Sequence, residues 1–108
     1  MGAKRNMHID RTWTITFDEM EQERLRVEVP MLELPTDLGR PLLLRLLGSS
    51  QITLPSRAID RIVVEIDIAR SNFLNNNHSA LDYRRRFPTV VSFYEELVML
   101  ANSHRRSA

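Results

Sequence analysis

The chain contains no cysteine. Disulfides, thiolate nucleophiles and cysteine-bound metal centres are therefore excluded, and a reducing cytoplasmic setting is the expectation that fits. Glycine is almost as scarce, with Gly2, Gly39 and Gly48 the only three. Phosphate-cradling loops need several glycines within a few residues, so no loop of that kind exists here. The three histidines, His8, His78 and His104, lie far apart, and no two of them pair at a metal-binding spacing such as His-x-x-x-His. No apolar run approaches the roughly 20 residues that a membrane helix needs, and no charged start followed by an apolar stretch marks a signal peptide. A net charge of only +1 gives no whole-molecule pull toward nucleic acid. Lysine is scarce as well: of fifteen basic residues only Lys4 is not arginine. That bias fits a GC-rich coding sequence, and it also fits selection for the planar, multidentate guanidinium.

What remains is ordinary globular composition, with 43% hydrophobic and 27% charged residues over 108 positions. That is enough for one domain with one modest core. The polar ends, 1–8 and 102–108, lack periodicity and are expected to be flexible.

Strand periodicity comes first. Trp13, Ile15 and Phe17 alternate with threonines, and Leu25, Val27 and Val29 alternate with Arg24, Arg26 and Glu28. The polar stretch Asp18 to Glu23 between them predicts an antiparallel hairpin whose loop has room for one helical turn. Pro41, the leucines after it and Gly48 predict a short buried helix. Its rival is a strand that turns at Gly48-Ser49-Ser50 into Gln51 to Leu54.

Ser56 to Leu74 supports two readings. Ile59, Ile62, Val63, Ile66, Ala69 and Phe73 share one face of a helix, with Ser56 as its cap. Ile62, Val64, Ile66 and Ile68 also alternate strictly, as a β-branched strand would. Length and the cap favour the helix. On that reading Val64 and Ile68 form a second apolar stripe on the polar side, which needs a partner. Asn75-Asn76-Asn77 stops the element. Ser79 then caps one or two turns through Arg86, and Pro88 opens a final helix whose face is Val90, Phe93, Tyr94, Leu97, Val98 and Ala101. The predicted fold is α+β: an N-terminal antiparallel β-hairpin, or a small three-stranded sheet, packed against two or three helices. Trp13, Ile15, Phe17, Val27, Leu43, Ile62, Ile66, Phe93 and Leu97 are the predicted core.

A catalytic constellation is missing. No nucleophile has a base at readable spacing, and the acidic pairs Asp18-Glu19 and Glu95-Glu96 are sequence neighbours that point apart. No enzyme activity, cofactor or metal is expected. One cluster bears on nucleic acid. Tyr83-Arg84-Arg85-Arg86-Phe87 sets three arginines between two aromatics, which suits phosphate contact with base stacking. The plainer reading has Tyr83 and Phe87, four apart, anchoring a helix while Arg84, Arg85 and Arg86 face solvent or the acidic stretch near the hairpin. The leading expectation is a non-catalytic interaction or assembly module that pairs with itself or with another protein through Val64, Ile68 and Trp13. The alternative is nucleic-acid binding through Tyr83, Arg84, Arg85 and Arg86. No membrane partner is expected.

Overall fold

In a computed structural model of the chain, the described residues are 12–34, 45 and 48–107, with side chains described through residue 103. Apart from Arg45, the expected helix at Pro41 to Leu47 lies outside them, as do Leu43 as a core residue and the flexibility of residues 1–8.

The first strand, β1 (Thr12–Thr16), forms where the alternation places it. Its partner is not the stretch after Asp18. It is β2 (Gln51–Pro55), which pairs antiparallel with β1 in the register Trp13↔Leu54 and Ile15↔Ile52. Directly opposed residues share a face, so these apolar pairs line the inner side. The outer side carries Thr14 and Thr53, whose hydroxyls hydrogen-bond at 3.1 Å.

Residues 24–31 are helical, which corrects the second strand expected over Arg24 to Leu34. Helix α1 (Glu19–Glu28) continues into a 3-10 turn at Val29–Met31. Asp18 closes a capping box: the Glu21 N–H donates to Asp18 Oδ1 at 2.7 Å, and the Asp18 N–H donates to Glu21 Oε1 at 3.4 Å. The burial pattern shows why helix wins. Leu25, Val29 and Leu32 are buried at helical spacing, whereas Val27, expected in the core, is 64% exposed.

Helix α2 (Ser56–Asn75) resolves the ambiguity of residues 61–69 in favour of helix. Ile59, Ile62, Ile66 and Ala69 are buried, with Val63 and Phe73 packed beside them. The cap differs from expectation, because Pro55 occupies the N-cap and Ser56 lies inside the first turn. The Ser56 hydroxyl instead accepts the Trp13 indole N–H at 3.0 Å, tying β1 to α2. The helix ends at the asparagines, where Asn77 takes a left-handed φ of 66°.

Two further helices complete the fold. Helix α3 (Ala80–Arg86) starts from the Ser79 cap in a capping box with Asp82. Helix α4 (Pro88–Ser107) packs along α2 and also against α1 and α3. Phe93 meets Phe17 of the N-terminal segment with ring centroids 5.5 Å apart. A single apolar cluster joins all these elements, from Ile15 and Leu25 to Leu97 and Ala101. The architecture is α+β, an antiparallel strand pair packed against helices. Among the described residues, no helix is long and apolar enough to cross a membrane.

Candidate functional site

The arginine-bearing helix α3 is built from its neighbours inward. The Ser79 hydroxyl accepts the Asp82 N–H, and the Asp82 carboxylate accepts the Ser79 N–H, both at 3.1 Å. These bonds to the charged form hold the Asp82 carboxyl below its usual range. Tyr83 and Phe87 are both buried, and with Phe73 of α2 they form a three-ring cluster with centroid separations of 5.4 to 5.7 Å. The anchoring reading of the two aromatics therefore holds.

Arg84, Arg85 and Arg86 are exposed. The Arg86 guanidinium lies 5.8 Å from the Phe73 ring centre, and Arg70 of α2 lies 5.8 Å from that of Tyr83. His78 lies in the connection between α2 and α3. Its ring stacks on Phe73 at 4.2 Å and is half-buried. Only 3% of Tyr83 is exposed, so its ring offers no face on which a base can stack.

Beside α3, a cleft of about 280 Å³ opens between α2 and α4. Asp67, Arg70, Arg84, Tyr94 and Glu95 provide its charged and polar lining. The Tyr94 hydroxyl donates to Asp67 Oδ1 at 2.7 Å. Burial, reinforced by that hydrogen bond, pushes the Tyr94 phenol up to about 12. Burial also raises the Tyr83 phenol. Neither tyrosine is poised to exchange a proton near neutral pH, and the cleft lining contains no histidine, serine or threonine.

The expected interface residues separate into two environments. Val64 and Ile68 project from the side of α2 opposite its core face and are 54% and 39% exposed. Trp13 is half-buried, packs against the core and spends its indole N–H on Ser56, about two turns before Val64 on α2.

A second exposed stripe was not anticipated. Met20 and Val27, seven residues apart on α1, are 63% and 64% exposed. Together with Pro88 they line a groove of about 520 Å³ between α1 and the junction of α3 and α4. Arg24, Arg85 and Arg86 line it as well. Once the capping box at Asp18 is recognised, the seven-residue spacing of Met20 and Val27 reveals this stripe in the sequence.

One buried carboxylate also belongs to this junction. Glu28, the last residue of α1, accepts the Thr89 N–H at 3.0 Å and the Val90 N–H at 2.9 Å. These are amides of the first turn of α4, so α1 caps a helix some sixty residues away in sequence. It is a structural role, and nothing in the local sequence around Glu28 announces it.

No protein family, curated protein or solved structure matches the chain.

Proposed function

We propose that the protein is a non-catalytic interaction module that associates with a second copy of itself through the outer face of α2. The observation that supports this reading is the exposure of Val64 and Ile68 on the face pointing away from the core. Both side chains keep much of their apolar surface in water in a single chain, and a partner that covers them removes that surface from water. Arg61 and Asp67 on the same helix are exposed and of opposite sign, which suits the polar rim of a two-fold interface. Scattering-coupled size exclusion tests it. The expected result is a dimer that persists in high salt and becomes a monomer in Val64→Asp and Ile68→Asp, with unchanged circular dichroism. A monomer at high concentration rejects self-association.

A second reading, nucleic-acid binding, rests on the exposure of Arg84, Arg85 and Arg86. It requires affinity for DNA or RNA that falls steeply with salt and is lost when the three become alanine. The burial of Tyr83 removes the stacking half of that reading and leaves only phosphate contact.

A further inference from the structure

We infer that the groove between α1 and the α3–α4 junction is a docking site for an acidic, apolar-bearing segment of another protein. The surface is distinct from the outer face of α2, so the inference goes beyond self-association.

The groove joins two properties that a solvated surface has no need to combine. Its apolar lining is Met20, Val27 and Pro88, all exposed. Methionine is flexible and polarizable, and it adapts to differently shaped apolar partners. The charged lining is unbalanced. Arg24, Arg85 and Arg86 are exposed guanidiniums, against a single exposed carboxylate, Glu23. The other carboxylate present, Glu28, is buried and committed to the Thr89 and Val90 amides. An occupant complementary to this surface carries carboxylates that meet the guanidinium forks and apolar side chains that cover the thioether and the valine.

The same surface disfavours a nucleic acid. Sequence-tolerant binding of single strands relies on aromatic faces, and both aromatics flanking the arginines, Tyr83 and Phe87, are buried in the core. An aliphatic lining gives nothing to a phosphate backbone.

The groove is positioned by rigid contacts. The Asp18 capping box starts α1, and the Glu28 carboxylate joins its end to α4, so the two walls are held together at their shared corner. A preformed groove binds without ordering its own backbone, which lowers the entropic cost of association.

The test uses the full chain and four labelled probes followed by fluorescence anisotropy. They are an amphipathic peptide of leucine and glutamate, the same peptide with lysine for glutamate, a polyglutamate peptide and a uridine oligonucleotide. The leucine–glutamate peptide is expected to bind saturably. The lysine version is expected not to bind, and polyglutamate is expected to bind at least about tenfold more weakly. Val27→Asp, and separately Arg24→Glu with Arg85→Glu, are expected to weaken the first peptide by about tenfold or more. All three positions are exposed, so circular dichroism stays unchanged. Absence of peptide binding, indifference to Val27→Asp, or tighter binding of the oligonucleotide overturns the proposal. Size exclusion of the same variants separates it from self-association. Their oligomeric state is expected to match the parent chain, and a loss of dimer in them would make the groove's occupant a second copy and overturn the inference.

Discussion

Tyr94 reports the packing of α2 against α4 through a single proton. Its hydroxyl donates to Asp67, and burial together with that bond raises the phenol from its ordinary 10 to about 12. The folded state therefore holds the proton more tightly than the unfolded chain. The resulting contribution to stability is complete below pH 10, and it is lost as pH rises from 10 towards 12, where the folded phenol also ionises. The chain has two tyrosines, so an ultraviolet titration can separate them. A step near 12 is expected, absent from Tyr94→Phe, and Asp67→Asn should move it down without returning it to 10 because burial remains. A Tyr94 step at 10 in the parent chain would show that the phenol is neither buried nor bonded to Asp67 as described. Both residues are visible in the sequence, and Tyr94 falls on the predicted apolar face of the final helix. Their pairing, 27 residues apart, is set by the alignment of two helices.

Among the elements, α1 carries the main difference between expectation and structure. Leu25, Val27 and Val29 alternate as a strand would, but the burial of Leu25, Val29 and Leu32 follows the helical period. The deciding local signal is the Asp18–Glu21 capping box, which satisfies otherwise unpaired donors at the helix start. The final helix is the converse case. Pro88 and the apolar spacing made it legible, but its cap comes from Glu28 in α1. Glu28→Ala is expected to cost about 2 kcal/mol, since it strips the acceptor from two first-turn amides in a buried position. Glu28→Gln should cost less, because its amide oxygen can still accept. Urea denaturation measures both, and an alanine variant as stable as the parent chain would remove Glu28 from the account of how α4 starts.

For the molecule as a whole, one core must supply most of the stability, because a domain of this size has a large surface for its volume. Leu97 lies at the centre of that core, fully buried between α2 and the other elements. A carboxylate placed there has no partner, and the cost of burying it is of the order of the entire stability of a small domain, several kcal/mol or more. Leu97→Asp is therefore expected to abolish the cooperative thermal transition. Met99→Asp, two residues along the same helix and exposed, should change stability by no more than about 0.5 kcal/mol. Equal melting of the Leu97→Asp and parent chains would mean that α4 is not seated on the core as described.

The sequence by itself determined which local segments fold as they do wherever period, cap and breaker agreed. Thr12 to Thr16 alternates among strand-forming residues, Ser79 caps α3, the asparagine run ends α2, and Pro88 opens α4. It also determined the anchoring of Tyr83 and Phe87, because four-residue spacing on a helix puts both rings on one side. The tertiary structure decided what depends on partners distant in the chain. β1 pairs with Gln51–Pro55 because an inner face of Trp13, Ile15, Ile52 and Leu54 is buried by that register, and no local rule compares strands that far apart. Ser56 gives its hydroxyl to Trp13, and Glu28 gives its carboxylate to α4. The groove lined by Met20, Val27, Arg24 and Arg85 exists only once α1 lies beside the α3–α4 junction. Spacing along a chain encodes which residues share a face. Which faces meet is settled by the competition among all of them for one core, and that competition is resolved in three dimensions.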